Sequence, residues 1–164
     1  MPTYPKDVIR DLIDGKLPWQ TTKSIMSEFK DAERFLVYLE ILQDRVPWKE
    51  RILLPIGEHL YIVEGASARA VKCDCGHEFG PYTENWKLGA LIHVRKTRES
   101  LDEIYPGARK CDPEWMELRE YYCPGCQTQL EVEAVAPGYP VVFDFEPDLE
   151  GFYRDWLKTP LKDP

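Results

Sequence analysis

The sequence CDCGH at residues 73–77, together with CPGC at residues 123–126, decides how the middle of this chain folds. Each motif places two cysteines close together, and Gly76 and the Pro124-Gly125 pair favour the sharp backbone reversal that a tight turn needs. A zinc ion is held by four sulfur, nitrogen or oxygen ligands in a tetrahedral arrangement. We therefore expect one structural zinc ion bound by the four cysteines of the two motifs: Cys73, Cys75, Cys123 and Cys126.

Other readings of the two motifs stay open at this point. The 47 residues between Cys75 and Cys123 exceed the usual insert of a zinc ribbon, and His77 or Cys111 could replace one cysteine ligand. Cys-Pro-Gly-Cys also fits a redox dithiol, although its flanking residues are typical of strands and a thioredoxin-like site lies between a strand and a helix. Four protein ligands leave no open coordination position, so we expect a structural ion.

The residues around the motifs, 48–136, predict a small zinc-ribbon-like antiparallel β module. Apolar segments broken by glycine and proline predict strands at Ile52–Leu54, Leu60–Val63, Ala68–Lys72, Leu91–Val94 and Leu130–Val135. Ser100–Tyr105 predicts a helical turn, whereas Trp115–Tyr122 fits a helix or a strand equally well.

Residues 1–47 predict an N-terminal segment of three short amphipathic helices. The first begins after Pro5 and ends at Gly15, the second begins at Pro18, and the third runs from a cap at Asp31 to Pro47. Their apolar residues recur at helical spacing: Val8, Ile9, Leu12 and Ile13; Ile25, Met26 and Phe29; Phe35, Leu36, Leu39 and Leu42. The pattern leaves open whether these faces pack on this chain or on another protein.

Residues 137–164 predict an extended, aromatic C-terminal arm, which completes an α+β protein. Five of the fourteen prolines lie here beside six aromatic residues, namely Tyr139, Phe143, Phe145, Phe152, Tyr153 and Trp156. Aromatic side chains on a proline-rich segment need a surface on which to be buried. That surface is either the chain's own domain or a partner.

The charge and hydropathy of the chain disfavour several classes of partner. The formal net charge is −8, and residues 131–164 hold eight acidic and three basic residues. Such a surface repels nucleic acid and anionic lipid, and the basic cluster Arg95, Lys96 and Arg98 is small. Because the sequence shows neither a run of about 20 apolar residues nor the apolar core of a signal peptide, we expect a cytoplasmic protein without membrane contact.

Catalytic motifs are missing from the sequence, so we assign no catalytic and no cofactor-binding residues to this chain. It has no glycine-rich phosphate loop, no His-Glu-x-x-His and no Gly-x-Ser-x-Gly. We expect His59 at the surface, His93 in the core or at a sheet edge, and Cys111 as an inert, partly exposed thiol.

Eight short stretches of the sequence together point to one family: Pro47-Trp48, residues 54–57 (LPIG), 73–77 (CDCGH), 85–88 (NWKL), 93–95 (HVR), 103–106 (EIYP), 119–124 (REYYCP) and 148–153 (DLEGFY). Through these ordered matches the chain resembles the small, zinc-binding gamma subunits of the acetone carboxylase family along nearly its whole length. In such proteins the four cysteines are the zinc ligands, which leaves Cys111 unexplained.

The resemblance implies a heterohexamer of two alpha, two beta and two gamma subunits. Complexes of this kind carboxylate acetone with bicarbonate to acetoacetate and hydrolyse ATP, with ATP and Mn²⁺ in the large alpha and beta subunits. Acetophenone carboxylase has a related small subunit, so the ketone stays open. A zinc-ribbon module that binds nucleic acid and a thiol oxidoreductase that uses Cys123 and Cys126 are the alternatives.

Overall fold

The computed structural model describes residues 4–29, 32–65, 67–109 and 111–162, except for the side chain of residue 108. It shows the expected α+β fold, in which helices precede two antiparallel sheets and a C-terminal segment follows them. None of the helices within these ranges is long and apolar enough to cross a membrane.

Three helices form the N-terminal part, as predicted: α1 (Lys6–Ile13), α2 (Trp19–Ser27) and α3 (Ala32–Gln43). The proposed cap of the third helix, Asp31, lies outside the described residues. Helix α1 lies beside α3, where Lys6 contacts Glu40 at 3.4 Å and Asp44 at 3.1 Å. Helix α2 buries Ile25 but leaves Trp19 and Met26 exposed.

The first sheet contains β1 (Ile52–Pro55), β2 (Leu60–Glu64), β3 (Arg69–Cys73) and β4 (Glu78–Pro81) in that order, all antiparallel. Its strands β2 and β3 are buried almost throughout. Helix α3 covers part of this sheet, because Leu39 and Leu42 share a core cluster with Ile52, Tyr61 and Val63. The helical segment therefore packs on this chain through α3.

The second sheet contains β5 (Leu91–Arg95), β6 (Glu117–Tyr122) and β7 (Gln129–Val135), again antiparallel and in that order. Residues 117–122, which the sequence left ambiguous, form its buried central strand. Before it comes α4 (Arg98–Asp102), the predicted helical turn, which begins at a capping box between Thr97 and Ser100. Short 3₁₀ turns at Trp86–Gly89 and Gly107–Arg109 complete this half.

The C-terminal segment makes a turn at residues 136–139, has no helix or strand from there to residue 148, and then becomes helical, which the sequence did not predict. Helix α5 (Leu149–Gly151) continues into a π-helical turn at Phe152–Trp156. This helical end is buried on the chain itself, because Leu149 and Tyr153 pack against Leu53 and Ile62 of the first sheet. The Tyr153 hydroxyl donates a hydrogen bond to the Leu53 carbonyl at 2.8 Å.

Replacing Tyr153 with phenylalanine tests this attachment. The ring stays in place, but the buried Leu53 carbonyl loses a donor, so we expect the free energy of unfolding to fall by about 1–2 kcal/mol in urea titrations. Tyr139→Phe is the matched control, because that side chain is 50% exposed, and it should leave stability unchanged. Equal stability of Tyr153→Phe and wild type would contradict the attachment.

Candidate metal centre

The first cysteine turn connects β3 to β4. Cys73 ends β3, and its backbone N–H donates to the His77 carbonyl at 2.8 Å, while the Gly76 N–H donates to the Cys73 carbonyl at 2.9 Å. Gly76 has φ of 100°, a conformation that L side chains rarely adopt. This turn therefore requires glycine, as the sequence indicated.

The second cysteine turn connects β6 to β7 in the same way. The Cys123 N–H donates to the Thr128 carbonyl at 2.9 Å, and the Gln127 N–H donates to the Cys123 carbonyl at 2.8 Å. Gln127 takes the left-handed conformation here, with φ of 60°. The Gly125 N–H donates to the Cys123 sulfur at 3.3 Å, which stabilises negative charge on that sulfur.

The two turns bring four sulfur atoms together. The Sγ atoms of the four cysteines lie within 4.8 Å of one another, with Cys73 to Cys126 at 3.8 Å and Cys75 to Cys123 at 3.7 Å. A tetrahedron of thiolates with Zn–S bonds of about 2.3 Å has edges of about 3.8 Å. The donor set and its spacing therefore fit a tetrahedral zinc ion.

His77 and Cys111, the alternative ligands, are placed elsewhere. Within the described ranges, the group of four Sγ atoms, which we call the sulfur group, contains no atom of either residue. The His77 ring packs edge-on against Phe79, with centroids 4.9 Å apart. The Cys111 thiol is partly buried and contacts the Met116 carbonyl at 3.8 Å.

Gly125 allows the two turns to approach so closely. A Cβ atom at this position would lie 3.0 Å from the Cβ of His77 and 3.3 Å from the sulfur of Cys75. Contacts this short force the neighbouring turn to move. The glycine between the second pair of cysteines thus has a role in packing across the site as well as in its own turn.

Trp48 supports the first turn from outside the sulfur group, and the sequence analysis did not assign it that role. Its indole N–H donates to the carbonyls of Cys73 at 3.2 Å and Asp74 at 3.0 Å. Asp74 in turn contacts Nδ1 of His59 at 2.7 Å. A buried indole N–H requires an acceptor, which was the available signal, but the sequence does not show which acceptor lies nearby.

Burial divides the four thiols into two kinds. Cys73 and Cys123 are fully buried, whereas Cys75 and Cys126 are exposed. Burial raises the pKa of the Cys73 thiol, while a hydrogen bond with the Thr128 hydroxyl is the main cause that lowers the pKa of Cys126 to about 7. A bound cation would stabilise all four thiolates, including the buried pair that solvent cannot reach.

A second group of potential metal ligands surrounds the ammonium group of a lysine, Lys87. Oxygen atoms of Glu131, Glu133 and Asp144 lie within 4.8 Å of one another. The Lys87 ammonium group, only 1% exposed, bonds to all three, at 2.8 Å for Glu131 and for Asp144. Lys87 also lies over the Tyr121 ring, 5.5 Å from its centroid. This group is therefore an internal ion cluster.

The protonation of Lys87 follows from that cluster. Burial alone lowers the pKa of a lysine, but the hydrogen bonds with Asp144, Glu131 and Glu133 outweigh burial and raise the pKa of Lys87 above its ordinary value of 10.5. Part of the acidic charge that the sequence assigned to the C-terminal surface is thus neutralised by a buried base.

The two remaining histidines are at the surface of the molecule. His59 is 34% exposed beside Asp74, and His93 is exposed on β5, which is an edge strand.

Fold and site together define a small α+β protein in which two β hairpins meet at a zinc-ribbon-like cysteine group. A family model described as "Acetone carboxylase gamma subunit" matches residues 46–157. The acetone carboxylase gamma subunit of Xanthobacter autotrophicus is 47% identical over 160 residues, which cover 96% of this chain and 95% of the relative. This chain belongs to the acetone carboxylase gamma subunit family, which confirms the resemblance inferred from its sequence.

A second relative has a different ketone in its name. The acetophenone carboxylase beta subunit of Aromatoleum aromaticum is 35% identical over 91 residues, which cover 54% of this chain and 67% of the relative.

Replacing Lys87 with methionine tests the internal ion cluster. Three carboxylates would be left close together without their cation, so we expect a loss of about 3–5 kcal/mol in the free energy of unfolding at pH 8. Acid neutralises carboxylates and so weakens the repulsion among them, and the loss should therefore be smaller at pH 5 than at pH 8. In wild type, the contribution of Lys87 should be complete below pH 10.5 and lost only at higher pH.

The control for this variant is Lys16→Met, which removes an exposed pair with Asp14 and should leave the free energy of unfolding close to that of wild type. A Lys87→Met protein as stable as the control at both pH values would contradict the cluster's role.

Proposed function

We propose that this chain is the non-catalytic, zinc-binding gamma subunit of an ATP-dependent ketone carboxylase. The observation that carries the proposal is the 47% identity with an acetone carboxylase gamma subunit over 96% of this chain. In this account, two larger subunits, alpha and beta, convert acetone and bicarbonate to acetoacetate. Two copies of each subunit form the assembly, and ATP and Mn²⁺ act in the larger subunits.

In this proposal, Cys73, Cys75, Cys123 and Cys126 are the ligands of one structural zinc ion. When bound, zinc supplies a cross-link and the positive charge that keeps four thiolates together. The chain itself supplies the two turns, the close approach at Gly125 and the indole bonds from Trp48. Because four sulfurs complete a tetrahedral set, this ion has no position for a substrate, and we assign no catalytic residue to the chain.

The same proposal gives each segment of the chain a role. Residues 48–136 are the zinc-stapled module, residues 1–47 are a helical segment, and residues 137–164 are an arm. The segments share hydrophobic cores, since Phe35 of α3 packs in one cluster with Leu53 of β1 and Tyr153 of the arm. We infer that the three segments present one combined surface to the larger subunits.

Acetone is the ketone that the comparison favours. The acetone carboxylase relative matches more of the chain at higher identity than the acetophenone carboxylase relative does. We propose that selection between ketones takes place in the larger subunits. The five free cysteines suit a reducing compartment, which supports the cytoplasm as the location.

The two alternative functions have less support. A nucleic-acid-binding module needs available positive charge, but this chain has a net charge of −8, and Arg95 is paired with Glu103 and Glu120. A thioredoxin-like dithiol precedes a helix, whereas Cys123 and Cys126 lie between β6 and β7.

Serine substitutions test the zinc site. Cys123→Ser removes one buried ligand, so we expect zinc measured by elemental analysis to fall well below one ion per chain and the thermal unfolding transition to shift to lower temperature. Cys111→Ser is the matched control, because that thiol lies outside the sulfur group, and it should keep both the metal and the transition. Full zinc content and an unchanged transition in Cys123→Ser would defeat the assignment.

Co-expression tests membership of the complex. A tagged copy of this chain, expressed with the alpha and beta carboxylase subunits, should retain both through purification, and native mass spectrometry should give two copies of each chain. The complete assembly should hydrolyse ATP when acetone and bicarbonate are present, whereas the isolated chain should not. A chain that is recovered alone, or that turns over ATP with acetone by itself, would refute the proposal.

A further inference from the structure

The two sheets of this protein have four edges, and three of them are protected against pairing with another strand. At β1, the Ile52 N–H donates to the side chain of Gln43 at 2.9 Å. The edge strand β4 is short and ends at Pro81. The edge strand β7 carries Glu131 and Glu133, which hold Lys87. Short strands, prolines and charges are the usual means by which soluble proteins prevent strands from pairing at an edge.

The fourth edge, β5, carries one charged residue, Arg95 at its end, which is paired with Glu103 and Glu120. Its apolar residues Leu91, Ile92 and Val94 are 52%, 38% and 37% exposed, and Leu88, just before the strand, is 70% exposed. Strand β6 pairs with one side of β5, and within the described residues no strand pairs with the other side. An apolar edge strand with a free side is a template for another strand.

We propose that β5 is the docking edge for a larger carboxylase subunit, which adds an extended strand with apolar side chains and an acidic flank. This inference rests on the proposed function, which supplies the partner. The family model includes β5 within residues 46–157 and begins after α1–α3. The exposed edge thus belongs to the part of the chain that the family model covers, unlike the exposed face of α2.

The charges around β5 favour an acidic partner segment over a second copy of this chain. Three of the four basic residues between positions 86 and 98 already have acidic partners in this chain: Lys87 in its ion cluster, Arg95 with Glu103 and Glu120, and Arg98 with Asp112 at 3.5 Å. The fourth, Lys96, is exposed just after β5, and no acidic residue lies between positions 86 and 98. A second copy of β5 would offer no acidic residue to the basic end of this strand. A partner strand with acidic residues beside it would complement that end. Backbone hydrogen bonds would supply affinity, and the exposed apolar side chains would supply specificity.

Matched valine substitutions test the docking edge. Val94 lies on β5 and Val132 on β7, the opposite edge of the same sheet, and they are 37% and 48% exposed. We expect Val94→Lys to weaken binding to the co-expressed alpha and beta subunits about tenfold or more, while Val132→Lys stays within about twofold of wild type. Lys96→Glu should also weaken binding, and the effect should shrink as salt increases.

Controls separate this inference from its premise. Each variant should keep the zinc content and unfolding transition of wild type. Hydrogen exchange on unmodified protein gives a second readout, in which the amides of residues 91–95 should exchange more slowly in the complex than in the isolated chain. If wild type never binds the larger subunits, the proposed function is wrong.

If wild type binds and Val94→Lys binds equally well, only the docking edge is wrong. Isolated wild type that sediments as a dimer, with Val94→Lys as a monomer, would also overturn it, because a second copy would then occupy β5.

Discussion

Four sulfur atoms that converge from two separate hairpins are the constraint on which the rest of this structure depends. One pair belongs to the β3–β4 turn of the first sheet and the other to the β6–β7 turn of the second. Next to them, Trp86 packs edge-on against Tyr121, with centroids 6.1 Å apart, in a core cluster that includes Cys73 and Cys123. The sulfur group therefore lies at the position where the two sheets come together.

Buried basic residues form a second system, which attaches the acid-rich C-terminal segment. Lys87 bonds to Asp144, Arg69 bonds to Glu150 and to the Lys162 carbonyl, and Arg119 bonds to the Tyr139 carbonyl. Each base is less than a tenth exposed, so leaving it without its partner would be costly. These contacts favour one path for the C-terminal arm, which has few backbone hydrogen bonds of its own. They also neutralise part of the negative charge that the sequence assigns to the surface of residues 131–164.

The parts of the fold that the sequence predicted are those with local signals. Gly76 after the first cysteine pair and Pro124-Gly125 within the second indicated tight turns. Helical or alternating apolar spacing indicated α1–α3 and most strands. Strand β4 was missed because two of its four residues, Gly80 and Pro81, disfavour strands, and it pairs with β3 all the same. Helix α5 was also missed, because several prolines precede it. Its N-terminal cap, Asp148, accepts a hydrogen bond from the Gly151 N–H at 2.8 Å, and an aspartate at this position could have indicated the start of a helix.

The parts that sequence reasoning missed at the site are contacts between distant residues. Lys87 meets acids 44 to 57 positions away, and Trp48 meets carbonyls 25 and 26 positions away, so neither spacing reveals the contact. The sequence also does not show that β5 is an edge strand, because an apolar strand has the same sequence pattern whether one or two strands pair with it. Contacts that depend on the order of the strands in a sheet can be identified only in the folded structure.

X-ray absorption spectroscopy at the zinc edge, on the purified and fully reduced chain, tests the central claim most directly. The account predicts one zinc ion per chain with four sulfur neighbours at about 2.3 Å and no lighter ligand. A first shell that contains nitrogen or oxygen, or a folded protein that binds no zinc, would contradict it.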